Sequence, residues 1–255
     1  MNLTFITFTT YLLSWTVIDA SSTPEDKSCD AEIVLNDASH LEDYTVNDLW
    51  EHWGCDEIFE EPRPIHTPET WAHARKVYQA VVGTEDSTVQ ADGDIDGFHV
   101  HVISKQSPGK GRGNYAGRDI RKGEIIYSGI NTARFRWGDD YREFLNSLEP
   151  HIACDVLQWA YVQDMGDTDL DDDDLMVSVD LDAGSFCNDG DGDPNKGCDT
   201  EAAKGYPGGC KTNYFALRDI KEGEELLCDY SSFAVDGTKV NGGWDWENSW
   251  EQFDS

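Results

Sequence analysis

The sequence predicts a mainly β fold of the α+β class, and two patterns support this prediction. Apolar and polar residues alternate in FHVHVIS (98–104) and in LMVSVDLD (175–182), which is the period of a half-buried strand. Two longer stretches read as strand, turn and strand: YAGRDIRKGEIIYSG (115–129) and NYFALRDIKEGEELLCDY (213–230). Helical patterns are found before residue 98 and again between residues 131 and 163.

The first 20 residues are predicted to be a secretory signal peptide. Residues 3–18 are mostly apolar and uncharged, a polar stretch follows, and Ala20 suits the last position before cleavage. The segment is too short and too rich in Thr for a membrane span, so no stable span is expected in the mature chain. We therefore expect the secretory pathway or secretion, with the nucleus, the cytoplasm or a plastid as the alternative.

Residues 21–97 are predicted to form an acidic N-terminal region with short helices. Thr45 suits the N-cap of a helix that ends at Gly54. A longer helix is predicted between Thr67 as its N-cap, with proline at the first helical position, and Gly83 as its stop. The apolar side chains of this longer helix fall on one face and are expected to pack against the main domain: Trp71, Ala74, Tyr78 and Val81.

Residues 98–232 are predicted to form the main, β-rich domain, and a polar tail with several Trp follows at 233–255. Within the domain, RDIRKGE (118–124) and RDIKEGE (218–224) repeat one pattern, in which an apolar strand feeds a charged turn and another apolar strand follows. The glycine that closes each turn suits a positive φ, so two similar hairpins are expected.

The formal net charge of −32 is extreme for a chain of 255 residues. It argues against sequence-independent binding to nucleic-acid phosphates, so no direct nucleic-acid partner is expected. The charge favours Lys-rich protein partners through long-range attraction, or it serves solubility alone. The sequence gives no indication of the oligomeric state.

The seven cysteines form no CxxC pair, so no structural zinc site is expected. In an oxidising compartment the expected disulfides join Cys29 to Cys55 and Cys198 to Cys210. The odd number leaves at least one thiol free. The alternative is that all seven cysteines are buried or reduced.

Alternating aspartates raise the possibility of calcium binding. An EF-hand loop needs Gly at position 6 and a bidentate Glu at position 12. Counted from Asp189, the first Asp of GSFCNDGDGDPN, these two positions hold Pro194 and, beyond the quoted stretch, Thr200. Counted from Asp92 in ADGDIDG, they hold Gly97 and, again beyond the stretch, Ile103. A secreted acidic calcium-binding protein therefore stays an alternative, and no metal ligand is assigned.

Three stretches, taken in order, resemble the SET domain of protein lysine methyltransferases: GKGRGNYAGRDIRKGEIIYSG (109–129), GSFCNDGDGDPN (184–195) and NYFALRDIKEGEELLCDY (213–230). The resemblance covers about residues 98–232. It implies a SET-type β-clip of several small sheets, with a helical insert at about 131–163 and a pseudoknot that brings 184–195 against 224–230. It also implies a protein-lysine N-methyltransferase that transfers a methyl group from S-adenosylmethionine to a lysine side chain of a protein substrate.

The resemblance assigns contacts with S-adenosylmethionine to Gly111, Arg112, Gly113, Asn188 and Asp189. Glycines at alternate positions of an extended segment remove side chains from one face, so the backbone can approach a ligand closely. Arg112 would contribute through its backbone. The amide of Asn188 offers donors and acceptors to a zwitterionic ligand. Asp189 stands where the family has His, and an aspartate is electrostatically acceptable near an amino group or a sulfonium.

Tyr230 matches the catalytic Tyr of the family. Methyl transfer needs a neutral amine, whereas a free lysine has a pKa of about 10.4. A narrow apolar channel disfavours the ammonium by desolvation, and a Tyr hydroxyl at its inner end can orient the amine. Cys228 stands in the substrate channel where the family usually has Tyr or Phe, so a roomier channel and higher methylation states are expected. The alternative is a non-catalytic SET-like module that binds basic peptides through its acidic surface.

Overall fold

The structure is a computed structural model that describes residues 33–60, 62–89, 95–164, 175–232, 239–240 and 243–244. Several sequence predictions concern other residues and lie outside the described part: the signal peptide at 1–20, Cys29, Asp92, and the tail except for its short strand pair. Within the described part, no helix is both long enough and apolar enough to cross a membrane.

The described residues contain six α-helices: α1 Val46–His52, α2 Cys55–Glu60, α3 Pro68–Val82, α4 Gly138–Asn146, α5 Pro150–Trp159 and α6 Thr200–Ala203. The two predicted N-terminal helices are confirmed together with their caps. The Thr45 hydroxyl accepts a hydrogen bond from the amide of Asp48, whose carboxylate accepts one from the amide of Thr45. Thr67 caps α3, which ends at Gly83 with a φ of 87°. Helix α2 was not predicted, because its six residues are too few to show a period.

The N-terminal helices and the helical insert share one hydrophobic core. Helix α3 buries Trp71, Ala74 and Tyr78, as predicted from its apolar face. The Tyr78 hydroxyl donates a hydrogen bond to the carbonyl of Arg134, which joins the helix to strand β4. Helices α4 and α5 lie between β4 and β5 and confirm the predicted insert, and Pro150 begins α5.

The strands form several small sheets, which confirms the predicted fold class. Their bounds are β1 Val102–Ser107, β2 Gly111–Ala116, β3 Ile125–Ser128, β4 Thr132–Phe135, β5 Tyr161–Asp164, β6 Leu175–Asp180, β7 Asn188–Asp189, β8 Lys196–Gly197, β9 Asn213–Ala216, β10 Leu227–Cys228, β11 Lys239–Val240 and β12 Gly243–Trp244. The three-stranded sheets have the orders β3-β9-β8 and β4-β6-β5. The two-stranded sheets pair β1 with β2, β7 with β10 and β11 with β12.

The two repeated heptapeptides do not form the hairpins that the sequence predicts. Strand β2 pairs with β1, and strand β3 pairs with β9, so the strands on either side of the first turn separate. The two turns instead face each other through a pair of backbone hydrogen bonds between Ile120 and Ile220. Gly123 and Gly223 have φ values of 78° and 82°, which confirms the predicted positive φ.

Two equivalent hydrogen bonds, each from a backbone amide of one turn to an Asp carboxylate of the other, hold the turns together. The Asp119 carboxylate accepts a hydrogen bond from the amide of Glu222, and the Asp219 carboxylate accepts one from the amide of Lys122. The hairpin prediction failed because a strand, turn and strand pattern does not specify which strands pair.

The predicted pseudoknot is present. Strand β7 runs parallel to β10, with Asn188 opposite Leu227 and Asp189 opposite Cys228. The side chain of Asn195 fastens the crossing, since its amide donates to the carbonyl of Glu225 and its oxygen accepts from the amide of Leu227. The crossing brings the middle and last stretches of the three-part motif together.

Three disulfides join the described cysteines: Cys55 to Cys154, Cys187 to Cys228 and Cys198 to Cys210. The Cys198–Cys210 pairing confirms the prediction. The predicted Cys29–Cys55 pairing is wrong, because Cys55 in α2 lies against α5 and bonds to Cys154 there. The alternative of seven reduced cysteines is also wrong for these six.

Candidate functional site

Two cavities adjoin each other next to the pseudoknot. The larger cavity has a volume of about 430 Å³ and is lined by Val46, Asn47, Trp50, Arg63, Lys110, Arg112, Leu157, Gln158, Trp159, Ser185, Phe186, Asn188 and Tyr230. The smaller cavity has a volume of about 80 Å³ and is lined by Tyr127, Gln158, Trp159, Tyr161, Asp180, Gly184, Ser185, Cys187, Lys196, Tyr214, Cys228 and Tyr230. Four residues line both cavities: Gln158, Trp159, Ser185 and Tyr230. Only the larger volume reaches the roughly 300–1,000 Å³ of small-molecule sites.

The larger cavity is cationic although the chain as a whole is strongly acidic. Arg63, Lys110 and Arg112 line it, and the described residues that line it include no carboxylate. Its apolar walls are aromatic, with Trp159 and Phe186 also packed within 5 Å of the Arg112 guanidinium. This lining favours a ligand that combines an anionic group with a flat ring.

A buried charge cluster includes two of the cations that line the larger cavity, Arg63 and Arg112. The Asp155 carboxylate is 1% exposed. It binds both guanidinium nitrogens of Arg112 at 2.8 and 2.6 Å. It also contacts Arg63 and accepts from His66 at 2.6 Å. Burial opposes ionisation of Asp155, but hydrogen bonds from His66 and Arg112, with the charges of Arg112 and Arg63, outweigh it and lower the pKa.

The structure uses the predicted glycines differently from the sequence prediction. Gly111 has a φ of 79°, which requires glycine on backbone grounds. A Cβ on Gly113 would collide with Glu225 Oε1 and lie 3.0 Å from Asn188 Nδ2. The missing side chain of Gly113 therefore admits protein groups, and neither glycine lines the larger cavity. Arg112 does line it, with its buried side chain.

The predicted Asn188 and Asp189 differ in their relation to the larger cavity. Asn188 lines it, and its amide nitrogen donates to the carbonyl of Arg112 at 2.9 Å and to Glu225 Oε1 at 2.8 Å. These bonds fix the orientation of the amide. Asp189 does not line the cavity, and its backbone carbonyl accepts a hydrogen bond from Lys110 Nζ at 2.6 Å.

Tyrosines dominate the smaller cavity. Tyr127, Tyr161, Tyr214 and Tyr230 all line it. The Tyr230 hydroxyl donates to the carbonyl of Cys187 at 2.8 Å. Burial, with a smaller contribution from the charge of Asp189, raises the pKa of the Tyr230 hydroxyl to about 12. Tyr230 thus stays protonated at neutral pH at the boundary of the two cavities.

Cys228 lines the smaller cavity, and its side chain is not a free thiol. Its sulfur is bonded to Cys187, so a disulfide forms part of the wall. The disulfide adds a second sulfur atom to the wall at this position, and the roomier channel stays a prediction. The disulfide also joins β10 covalently to the residue that directly precedes β7.

Most of this site lies within a stretch of the chain that matches a known protein family. Residues 111–231 match the model of the SET domain family. The chain contains a SET domain in this region. The matched stretch begins with β2 and ends one residue after Tyr230, so it contains the first motif from Gly111 onwards, the other two motifs in full, and the pseudoknot.

A solved structure of the Neurospora SET domain protein DIM-5, a histone lysine methyltransferase, aligns with 19% sequence identity and a TM-score of 0.36. The alignment covers 56% of this chain and 57% of that chain, so this chain spans little more than half the length of that relative. This likeness is too weak to support an argument about function. No curated protein matches the chain significantly.

Asp180 and Lys196 place opposite charges in the smaller cavity of the SET domain. Asp180 accepts a hydrogen bond from the Thr132 hydroxyl at 2.5 Å. Burial raises the pKa of Asp180 to about 6, and the charge of Asp182 acts in the same direction. Burial lowers the pKa of Lys196 to about 8 against the opposing charges of Asp180 and Asp182.

The raised pKa of Asp180 predicts a measurable pH dependence of stability. Between pH about 4 and about 6 the folded state keeps a proton on Asp180 that the unfolded state has lost. The free energy of unfolding therefore falls as the pH rises through that window. Asp180→Asn should remove the effect. Urea unfolding gives the free energy of unfolding of both proteins, and their difference should change across that window. A difference that does not vary with pH would contradict the raised pKa of Asp180. The charged neighbours of Asp180 are Asp182 and Lys196.

Sequence reasoning missed four residues of the site: Arg63, Asp155, Asp180 and Lys196. Arg63 lies before the SET-domain match, and Asp155 reads as an ordinary polar position in a helix. Lys196 carries the one usable signal, since it directly follows Asn195 at the end of the middle motif. A charged residue in that place would have to be buried with the motif.

Proposed function

We propose that this SET-domain protein transfers a methyl group from S-adenosylmethionine to a lysine side chain of a protein. The observation that carries the proposal is the meeting of two cavities at Tyr230, one large enough for a cofactor and one small and lined by tyrosines. A methyl donor in the larger cavity and an amine in the smaller cavity would then approach each other across this boundary.

The residues of the larger cavity fit S-adenosylmethionine. When bound, this cofactor supplies a methyl group attached to a positively charged sulfur. Arg63 and Lys110 can meet its carboxylate, because both cations line the cavity. Trp50, Trp159 and Phe186 offer aromatic surface for its adenine. Asn188, with its amide nitrogen already bound to the protein, presents its oxygen as an acceptor.

The smaller cavity fits a lysine amine. Its tyrosine rings attract a cation, and their burial removes the water that would keep the amine protonated. Tyr230 remains a neutral hydroxyl and stands at the boundary, where it can orient the amine towards the larger cavity. Positioning and desolvation are then the two contributions of the chain, and no covalent enzyme intermediate is required.

Replacement of Tyr230 by Phe tests the proposal. We expect methyl transfer to a Lys-rich protein to fall by about 10²-fold or more, because the hydroxyl that orients the amine is lost. Affinity for S-adenosylmethionine should change little, because the ring remains. The measurements are labelled-methyl transfer and isothermal titration on residues 21–255, and Tyr206→Phe at an exposed tyrosine is the matched control. Absence of detectable cofactor binding by the unaltered chain would refute the proposed methyltransferase activity.

A non-catalytic module that binds basic peptides is the second candidate. Two observations favour it: Asp189 stands where the family has His, and the chain carries a formal charge of −32. This candidate predicts salt-sensitive binding of a Lys-rich peptide with no affinity for S-adenosylmethionine. The same titrations therefore separate the two functions.

The disulfides support a location in the secretory pathway or outside the cell. Disulfides persist in oxidising compartments and are rare in the cytosol and nucleus. The predicted signal peptide at 1–20 leads to the same proposal. Imaging of a tagged full-length chain tests it, and a nuclear, cytoplasmic or plastid signal would overturn it.

A further inference from the structure

Lys196 is a buried lysine inside the smaller cavity. The residue is 2% exposed, although lysine is almost never fully buried without a charged partner. Among the described residues, no carboxylate oxygen lies within 4.0 Å of the Lys196 ammonium nitrogen, which is the limit for an ion pair. The direct ion pair that usually accompanies a buried lysine is therefore missing, and the charges of Asp180 and Asp182 act on the ammonium from a longer distance.

Aromatic rings surround the Lys196 ammonium. Its Nζ lies 4.9 Å from the ring centre of Tyr127, 5.4 Å from that of Tyr214 and 5.7 Å from that of Phe98. Tyr127 and Tyr214 are also walls of the smaller cavity. The protein thus already holds one of its own lysine amines among the tyrosines that the proposed function assigns to a substrate lysine.

The surroundings of Lys196 also favour a reactive amine. Burial lowers the pKa of its ammonium to about 8, so a substantial neutral fraction is present at slightly alkaline pH. Tyr230 lines the same cavity and marks its boundary with the larger one. A methyl donor in the larger cavity would therefore face an adjoining cavity that already contains the Lys196 amine.

We propose that Lys196 is an internal methyl acceptor of this protein. The inference rests on the proposed function, because it requires a sulfonium methyl donor in the larger cavity. The amine first releases one proton to water. A bond then forms between Nζ and the methyl carbon as the bond between that carbon and the sulfonium sulfur breaks, and the sulfur keeps the electron pair. The product is a methylammonium on Lys196 and S-adenosylhomocysteine.

Peptide mapping of the full chain provides the first test. The protein is incubated with S-adenosylmethionine that carries a labelled methyl group, digested, and analysed by mass spectrometry. We expect the label on Lys196, at a rate that does not depend on protein concentration, because the buried amine is accessible only within its own chain. Lys204, whose side chain is 69% exposed on α6, should remain unlabelled and serves as the internal control.

A binding experiment gives a second test that needs no turnover. A positive Lys196 beside the donor should repel the sulfonium of S-adenosylmethionine but not the neutral sulfur of S-adenosylhomocysteine. Lys196→Met should therefore strengthen binding of the first ligand relative to the second by roughly tenfold near pH 7. Lys204→Met should leave this ratio of dissociation constants unchanged.

The outcomes separate the inference from the proposed function. Label on Lys196 with a shifted ratio supports the inference. If both ligands bind and an added Lys-rich peptide is methylated while Lys196 is not, the inference fails and the enzyme remains. An unchanged ratio in Lys196→Met also overturns it, since the amine would then lie away from the sulfur. If neither ligand binds the unaltered chain, the proposed function itself fails. The mapping uses the unaltered protein, so it stands even if Lys196→Met does not fold.

Discussion

Replacement of Asp155 by Ala is expected to destabilise the protein by about 3–5 kcal/mol. The cost arises because Asp155 is the carboxylate that Arg112, Arg63 and His66 share, and the side chain of Arg112 is 1% exposed. Without Asp155 a buried guanidinium has lost its charged partner. Removal of one member of a buried ion pair is costly because the other charge stays desolvated.

The measurement is urea unfolding of Asp155→Ala and Asp155→Asn beside a surface control. Asp155→Asn keeps the shape of the side chain and removes the charge, so we expect it to be nearly as destabilised as Asp155→Ala. The control is Glu201→Ala, whose side chain is 80% exposed and pairs with Lys204, and its change should stay within about 0.5 kcal/mol. Wild-type stability in Asp155→Asn would show that charge is not what holds the cluster.

The pKa of Asp155 fixes the pH window of this effect. The pKa is lowered in the folded protein, so the contribution is present above the unfolded value of about 3.9. It is lost as the pH falls below that value towards the folded pKa. The difference between the wild-type protein and Asp155→Ala should therefore shrink in acid and stay constant above pH about 5.

Features encoded in a few adjacent residues could be predicted from the sequence. The caps at Thr45 and Thr67 were predicted because a hydroxyl, a following helical pattern and a closing glycine lie within one short segment. The positive φ of Gly123 was predicted for the same reason. The pseudoknot could be inferred only through a resemblance, because no local pattern shows that β7 and β10 run side by side.

Features that depend on contacts between distant residues could not be predicted. The pairing of Cys55 with Cys154 spans 99 residues, and cysteine spacing does not state which cysteines meet. The burial of Asp155 and Lys196 depends on groups from other elements, such as Arg63 and Tyr127. From the sequence alone, Asp155 and Lys196 are both expected to be solvent-exposed, because Asp and Lys side chains are mostly exposed in folded proteins.

The distribution of charge shows why composition alone misleads at the site. With 51 acidic and 19 basic residues, the sequence suggests a surface that attracts cations everywhere. The larger cavity contradicts this locally, because three of the 19 basic residues converge there. In the proposed function, an acidic exterior would attract a Lys-rich substrate while the cationic cavity would select an anionic group of the cofactor, so the two electrostatic roles would be separated in space.

Removal of the Cys55–Cys154 disulfide is expected to cost nearly as much stability as the loss of Asp155. In the chain-entropy model, a cross-link that closes a loop of about 100 residues contributes about 4.7 kcal/mol, whereas a loop of about 15 residues contributes about 3 kcal/mol. The sequence separations are 99 for Cys55–Cys154 and 12 for Cys198–Cys210. The double replacement Cys55→Ala and Cys154→Ala should therefore destabilise the protein more than Cys198→Ala and Cys210→Ala.

The comparison also tests how firmly the N-terminal helices belong to the SET domain. Cys55 in α2 and Cys154 in α5 are both fully buried in the core that these helices share with the insert. Urea midpoints and slopes of the two double variants give the comparison, and a constant slope shows that unfolding remains a single transition. An equal or larger cost for the short loop would contradict the entropic order. A second transition in the long-loop variant would show that α1 to α3 unfold separately, and that the disulfide keeps Trp50 and Arg63 at the larger cavity.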